Sequence, residues 1–417
     1  MRGTMDARQL HPSVSAQRKA VWSLAEFLVV GFCTLALMFT ATGIVAFLRH
    51  KNAAGQRDFV EYWASGQQLA HHANPYDGGA LLPIERTAGF SSDTPALIMG
   101  NAPPALLLVR PLGSLGSSAG ELFWTLALLT ALACSVHTVR GLYGGQERWP
   151  LLFFAYSFGP ALDCLLTGQM SILILLGLAL FLRLHGTRPL LAGVSLWLCL
   201  LKPQLFLPFG VVLLVWIFTS RRYRILIGAT VALGVSALLV YMLDPIAWTQ
   251  YHQMMATVRY DRGVVPCLSN LLRRSIGGNA IWLQYVPAAL GCIWALGYYR
   301  RHRREWDWLS HGSLLMLVSV LVAPYTWLTD QVVLIPALLH GLSVTRSRAM
   351  VAVLALASAS VQLSIFRGGT HLLHSSFVVW IAPLWLAWYL LAVRDGMPEK
   401  MPAAAMLRDC SPSAGDA

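Results

Sequence analysis

Long runs of apolar residues recur along most of the chain, separated by short polar segments or by proline and glycine. About 20 apolar residues form a helix that crosses a bilayer, and fewer suffice where neighbouring helices cover its ends. The apolar stretch 103–112 is too short to cross and is predicted to be re-entrant or interfacial. The pattern predicts twelve membrane-spanning helices, near residues 24–47, 119–140, 149–163, 168–184, 188–201, 203–220, 224–243, 280–299, 309–324, 328–345, 349–366 and 375–393.

The distribution of arginine and lysine supports this topology, because basic residues collect on the cytoplasmic side of a membrane. With the N-terminus inside, 20 of the 31 basic residues fall on the inner side, although the outer side has the two longest loops. The chain is therefore predicted to be an all-α polytopic membrane protein with both termini in the cytoplasm.

Composition agrees with a membrane protein and excludes several soluble classes. Hydrophobic residues make up 56% of the chain, charged residues only 12%, and the mean hydropathy is +0.57. The net charge of +12 comes from short basic clusters between apolar runs, which is typical of loops facing lipid headgroups and predicts no nucleic-acid partner. The seven cysteines are widely spaced and predict neither a disulfide framework nor a zinc site.

One membrane domain is predicted over residues 24–394, with a cytoplasmic tail at 1–23 and a disordered cytoplasmic tail at 395–417. The first apolar run is too long for a signal-peptide core and is predicted to stay as an uncleaved span. No soluble domain and no internal repeat is evident. Any chemistry therefore belongs between helices or in the outer loops 48–118 and 244–279.

The first outer loop begins with "RDFVEYWASGQQLAHHANPYDGG" at residues 57–79. Polar side chains recur there at helical spacing opposite an aromatic stripe, which predicts an amphipathic helix on the membrane surface. Pro75 and the glycines after it predict a turn. The candidate residues of this loop are Asp58, Glu61, Tyr62, Trp63 and Tyr76.

Further polar residues lie at the predicted outer ends of spans, and their convergence on one face predicts a polar cavity. Ionisable groups near membrane depth are functional candidates, because their burial is costly. These candidates are Asp163, Gln169, Lys202, Gln204, Asn270, Arg273, Arg274, Tyr325, Trp327 and Asp330.

Simpler interpretations stay open for several of them. Asp58 alone is more often a solvated loop residue, and Lys202 can be a cation that extends from a helix end to the interface. Asp163 and Asp330 can be helix caps. The tyrosines and tryptophans can belong to the interfacial aromatic belt.

Five motifs together resemble the polyprenol-phosphate-sugar-dependent glycosyltransferases of family 87, in the GT-C superfamily of membrane enzymes. They are the first-loop acid in "RDFVEYWASGQQLAHHANPYD", "NAPPALLLVRPL", "TGQMSILILLGLAL", "GVSLWLCLLKPQLFLPFGV" and "APYTWLTDQVVLIPALL". The resemblance in their order extends over residues 49–340. The resemblance implies a GT-C-like fold in the plasma membrane. It also implies transfer of one hexose, often mannose, from a polyprenyl-phosphate donor to a lipid or glycan acceptor at the outer face.

The resemblance implies that Asp58 is the catalytic base, and the chemistry of glycosyl transfer is consistent with this. A sugar hydroxyl is a poor nucleophile, so a carboxylate must take its proton. The leaving phosphate needs a nearby cation, for which Lys202 is the best candidate, followed by Arg273 or Arg274. The chain has neither a D-x-D motif nor a glycine-rich phosphate loop, so no metal and no cofactor are expected. One carboxylate and direct displacement predict inversion at the anomeric carbon.

Two other classes remain. Twelve spans with both ends inside also describe many secondary transporters and lipid flippases, but these usually contain internal repeats. A scaffold subunit without chemistry leaves Asp58 and Lys202 unexplained. The glycosyltransferase is the favoured interpretation.

Overall fold

The structure is a computed structural model that describes residues 13–50, 57–91, 93–143, 149–257, 265–277, 280–373 and 375–396. Every regular element in those ranges is helical, as predicted. The α-helices are α1 (Ser13–Arg49), α2 (Phe59–Ala70), α3 (Gly78–Thr87), α4 (Leu106–Val109), α5 (Ser117–Arg140), α6 (Trp149–Ser157), α7 (Gly159–Thr167), α8 (Ser171–Leu184), α9 (Pro189–Cys199), α10 (Leu207–Thr219), α11 (Tyr223–Leu243), α12 (Ala247–Thr257), α13 (Leu268–Ile276), α14 (Val286–His302), α15 (His311–Leu321), α16 (Ile335–Val344), α17 (Arg348–Leu373) and α18 (Ile381–Gly396).

Short 3-10 helices precede several of these α-helices. Proline stands in the first turn of α10, α14 and α16, where its missing N–H is not needed. The 3-10 helices are Pro103–Ala105, Arg110–Ser114, Pro203–Phe206, Ile281–Tyr285, Leu328–Leu334 and Ser376–Trp380.

Six helices are long and apolar enough to cross a membrane, judged by length and composition. They are Val29–Arg49, Ser117–Arg140, Tyr223–Leu243, Ile281–His302, Arg348–Arg367 and Val378–Gly396.

The other predicted spans coincide with shorter apolar helices. The 14 residues of α8 extend over about 21 Å, less than the roughly 30 Å of a hydrocarbon core. The chain is thus a helical, multi-pass membrane protein. A full count of twelve crossings, with both termini inside, stays a prediction.

Two predicted spans have different bounds in the structure. The predicted span 149–163 is two helices, α6 and α7, because Phe158 has an extended backbone (ψ 120°) and is followed by Gly159 and Pro160. The span predicted to begin at residue 168 begins at Ser171, since Gly168 has a left-handed backbone that ends α7. That break creates a turn at Gly168–Met170 between two apolar helices.

The core is built around α8, which is buried on most sides and packs against α5 and α9. Helices α9 and α11 approach closely through two glycines. A Cβ at Gly193 would collide with the backbone of Ile225, and one at Gly228 would collide with Leu190. Small residues permit such close contacts between membrane helices. Large apolar side chains on the outer surface, such as Val231 and Ile293, are exposed, as expected for a surface in contact with lipid.

The predicted helix of the first outer loop exists as α2, but it is not half solvated. Tyr62 and Ser65, on its polar stripe, are fully buried, and so is Phe59 on its aromatic side. Its backbone contacts the 3-10 helix Arg110–Ser114, where Gly66 and Gly113 leave no room for side chains. The predicted stretch 103–112 forms this short, largely buried packing surface.

The tails differ in part from the prediction. Residues 13–23 of the predicted N-terminal tail are the beginning of α1, while 1–12 lie outside the described residues. The predicted disordered tail also lies outside the described residues, apart from Asp395 and Gly396, which end α18.

Candidate active site

Asp58 immediately precedes α2, and its side chain does not cap the helix. It is half-buried, and its Oδ2 accepts a hydrogen bond of 2.8 Å from Nε2 of Gln169. Gln169 lies in the turn between α7 and α8. The break in the apolar sequence at Gly168 therefore places an amide against the first-loop carboxylate.

The Gln169 side chain connects this carboxylate to a cation. Its Oε1 accepts from the Tyr62 hydroxyl at 2.8 Å and from Nζ of Lys202 at 3.4 Å. An amide oxygen only accepts and an amide nitrogen only donates, so these two contacts orient the N–H toward Asp58. One amide thus separates a carboxylate from an ammonium.

Lys202 follows α9 and is almost fully buried. Its Nζ donates to Oδ1 of Asp330 at 2.7 Å and to Oγ of Ser171 at 3.1 Å. Ser171 in turn donates to the same Asp330 oxygen at 2.6 Å. Because its ammonium has buried oxygen partners, Lys202 is not a cation extended to the interface.

Asp330 is fully buried in the 3-10 helix Leu328–Leu334. Its Oδ2 accepts from the backbone N–H of Trp327 at 2.9 Å, so it contributes to the helix N-terminus as the capping interpretation expects. Its other oxygen forms the ion pair with Lys202. The residue therefore has both roles.

Glu61 lies one helical turn after Asp58 and is half-buried. Loss of water around the carboxyl and, to a smaller extent, the charge of Asp58 raise the pKa of Glu61 to about 8, against smaller opposing effects from Tyr62 and Lys202. Glu61 is therefore mostly protonated at neutral pH. In that form it can donate a hydrogen bond.

Asp163 is inside α7 rather than at its end, so it is not a cap. It is 1% exposed, and within the described part of the chain its Oδ2 has no hydrogen-bond partner.

Trp63 and Tyr76 of the first loop form hydrogen bonds to backbone carbonyls of other loop segments. Trp63 donates through Nε1 to the carbonyl of Leu115, which directs its polar edge to the 3-10 segment. The Tyr76 hydroxyl donates to the carbonyl of Asn101, and Asn101 donates to the carbonyl of Leu201, next to Lys202. The side chains of Tyr76 and Asn101 therefore connect the first loop to the segment that carries Lys202.

The segment between α12 and α14 contributes α13, whose polar side faces the protein. Asn270 and Arg273 are buried, and Arg273 donates to Oε1 of Gln284 at 3.0 Å. Gln284 also donates to the carbonyl of Pro324, immediately before Tyr325. Arg274, by contrast, is exposed.

Three further candidates near the network, Tyr325, Trp327 and Gln204, are half-buried. The Trp327 indole donates to the Tyr325 hydroxyl at 2.6 Å, which couples these two rings. Gln204 is also half-buried, in the 3-10 helix that follows Lys202.

The structure thus joins five predicted residues in one hydrogen-bonded network: Asp58, Tyr62, Gln169, Lys202 and Asp330. Sequence reasoning missed Ser171 and Asn101, although both lie in motifs that carried the resemblance. It also missed Arg57, which directly precedes Asp58. Among the described residues, no group of three or more His, Cys, Asp or Glu side chains is arranged to hold a metal ion.

Comparison with known protein families identifies a match to glycosyltransferase family 87 over residues 101–324. This segment contains Gln169, Ser171 and Lys202, while Asp58 precedes it and Asp330 follows it. No curated protein and no solved structure matches the chain. The family match covers more than half of the chain, and its helices are those of a membrane protein. The chain belongs to glycosyltransferase family 87, a family of GT-C superfamily membrane glycosyltransferases.

Proposed function

We propose that this protein transfers one hexose, expected to be mannose, from a polyprenyl-phosphate donor to a hydroxyl of a lipid or glycan acceptor. The reaction takes place at the outer face of the plasma membrane. Family membership supports a glycosyltransferase. The observation that carries the mechanism is that Gln169 contacts both Asp58 and Lys202, at 2.8 and 3.4 Å.

Asp58 acts as the general base. As the acceptor oxygen attacks the anomeric carbon, its proton passes to the Asp58 carboxylate. The bond between the anomeric carbon and the phosphate oxygen breaks, and its electron pair stays on the phosphate. Because one carboxylate serves the acceptor side and attack is direct, the product has inverted configuration, by analogy with inverting glycosidases.

Lys202 stabilises the negative charge that grows on the leaving phosphate. Its three oxygen contacts differ in length: 2.7 Å to Asp330, 3.1 Å to Ser171 and 3.4 Å to Gln169. The donor phosphate takes the place of the longest of these contacts. Asp330 and Ser171 then keep the ammonium in position, while Gln169 remains hydrogen-bonded to Asp58.

Other side chains near the network bind the sugar and the lipid. Protonated Glu61 and the Gln169 amide are suited to sugar hydroxyls, because they offer both donors and acceptors. The half-buried rings of Tyr325 and Trp327 present apolar faces for the sugar or the polyprenyl chain. Buried Arg273 donates to Gln284, and Gln284 donates to the carbonyl of Pro324. Arg273 thereby supports the segment that carries these rings.

The test is a transfer assay on the purified full-length protein in lipid nanodiscs. Radiolabelled polyprenyl-phosphate-mannose is the donor, and an extract of membrane lipids and glycans supplies the acceptor. Wild type is compared with Asp58→Asn and with Asp77→Asn. Asp77 is an exposed aspartate of the same loop that caps α3, a role that asparagine also fills.

We expect wild type and Asp77→Asn to transfer label, and folded Asp58→Asn to transfer almost none. Equal transfer by Asp58→Asn overturns the assignment of the base. If wild type in vesicles moves intact donor across the bilayer and attaches no sugar to any acceptor, the flippase alternative replaces this proposal.

A further inference from the structure

Arg57 lies next to the proposed base in sequence, but its charge is neutralised inside the protein. Its Nη1 forms an ion pair of 2.7 Å with Oε1 of Glu121 in α5, and both side chains are 1% exposed. Planar guanidinium groups with carboxylate partners make strong, directional contacts. Arg57 is therefore not a free cation for the donor phosphate.

The other nitrogens of Arg57 hold the end of α7. Nε donates to the carbonyl of Leu166 and Nη2 to the carbonyl of Leu165, each at 2.6 Å. These carbonyls belong to the last turn of the helix, just before Gly168 and Gln169. A single side chain thus joins the residue before Asp58 to the segment that carries the amide partner of Asp58.

A second residue of α5, Trp124, contacts the same turn directly. The Trp124 indole donates to the carbonyl of Gly168 at 2.7 Å, one helical turn after Glu121. Gly168 has φ +78°, and a Cβ there would lie 3.0 Å from Cβ of Phe59 and 3.5 Å from Nη2 of Arg57. The turn is therefore packed directly against the start of α2.

We propose that Arg57 and Glu121 form a buried clamp that positions the Asp58 carboxylate against Gln169. The clamp fixes three segments relative to one another: the start of α2, the α7–α8 turn and α5. Both residues are positioning residues, acting through Asp58 and Gln169. This inference rests on the proposed function for its kinetic consequence, but not for its structural one.

Breaking the clamp leaves a buried charge without its partner. Glu121→Gln keeps the shape of the side chain but removes its charge. The contact with Arg57 is then weaker, and the start of α2 is held less rigidly against α5. Arg57→Lys keeps the charge but replaces three spaced nitrogens, which contact two carbonyls and a carboxylate, with one ammonium nitrogen. The conservative variant Glu121→Asp keeps the ion pair at a changed length.

Two measurements test the clamp in the full-length protein in nanodiscs. Hydrogen–deuterium exchange of the peptide covering 165–170 reports the turn, whose Gly168 and Gln169 amides both donate to Cys164. Steady-state transfer gives kcat and the apparent KM for donor. The control is Gln362→Met, which removes a buried hydrogen bond to Thr40 between α17 and α1, outside the proposed site.

In Glu121→Gln and Arg57→Lys we expect faster exchange at 165–170 and a kcat lower by about tenfold or more, since small displacements of reacting groups are costly. The KM for donor should change by less than about twofold, because Lys202 is untouched. Glu121→Asp should recover much of kcat, and Gln362→Met should keep it.

Unchanged exchange at 165–170 in folded Glu121→Gln overturns the clamp, and so does a kcat within about twofold of wild type. The exchange measurement needs no donor. A wild type that transfers no mannose therefore contradicts the proposed function without deciding the clamp. If Glu121→Gln does not fold, Glu121→Asp and Arg57→Lys decide by the same two readouts.

Discussion

Gln169 donates its side-chain N–H to the Asp58 carboxylate over 2.8 Å, although 111 residues separate the two in the chain. The same amide accepts from Tyr62 and Lys202. An amide suits this position because its nitrogen donates to the carboxylate while its separate oxygen accepts from the ammonium.

Gln169→Glu should lower kcat by about a hundredfold near pH 7, since it places a second carboxylate against Asp58 and disturbs the reacting geometry. The measurement is steady-state sugar transfer in nanodiscs. Gln67→Glu is the matched control, because Gln67 is a half-buried glutamine of α2 whose side chain donates to the backbone carbonyl of Leu115. Equal losses in the two variants contradict a specific role for Gln169.

Lys202→Met should destabilise the protein by about 3–5 kcal/mol, because it leaves the Asp330 carboxylate buried without its cation. Thermal unfolding in detergent measures this loss. The double variant Lys202→Met with Asp330→Leu should recover much of the stability, since it removes both charges. It should not recover transfer, because no cation then faces the donor phosphate. Recovery of transfer in the double variant would falsify the role of Lys202.

Glu61 should make the protein less stable as pH rises. Its pKa is raised from 4.5 to about 8 in the folded state, so the folded state binds a proton that the unfolded state has released between these values. The free energy of unfolding therefore falls as pH increases from 4.5 to about 8. Glu85, with a pKa raised to about 7 by burial, acts in the same direction. Unfolding temperatures across this pH range should decline less steeply in Glu61→Gln than in wild type.

Transfer should also decline as pH rises through about 8. Ionised Glu61 adds a negative charge beside Asp58 and repels the donor phosphate. Glu61→Gln stays neutral, so its rate should remain level over the same interval. If the transfer rates of wild type and Glu61→Gln decline equally, the pH dependence belongs to a titratable group other than Glu61.

Gly168→Ala should cost about 1–3 kcal/mol of stability and reduce transfer, because φ is +78° there and a Cβ would press on Phe59. Gly210→Ala is the matched control, since Gly210 lies in α10 without a positive φ, and a Cβ added there would meet no heavy atom within 4 Å. Alanine in a helix is favoured over glycine, so this control should be neutral or slightly stabilising. Equal unfolding temperatures for the two variants contradict the strain at the turn.

Much of the fold could be predicted because apolar runs bounded by charge or proline are local features. Each of the twelve predicted spans overlaps a helix or a pair of helices, and α2 occurs where helical spacing placed it. The ends of the spans were predicted less accurately than their existence. The break at Phe158 and the delayed start of α8 depend on backbone angles, which an apolar run does not reveal.

The sequence by itself determined the membrane class, the helical architecture and the family, because these follow from hydrophobic run length and motif order. It also indicated which polar residues to consider. Only the tertiary structure decided which of them meet. Gln169, Lys202 and Asp330 reach one network, whereas the polar edge of Trp63 is directed to Leu115.

The same distinction applies to charge. Asp58 and Arg57 are adjacent in sequence, yet one is half-buried beside an amide and the other is enclosed in an ion pair with Glu121. Contacts between residues tens or hundreds of positions apart depend on how helices pack, and helix packing is set by glycine contacts and side-chain shapes across the whole chain. For that reason the candidate base could be predicted from sequence, while the residues that hold it in place could not.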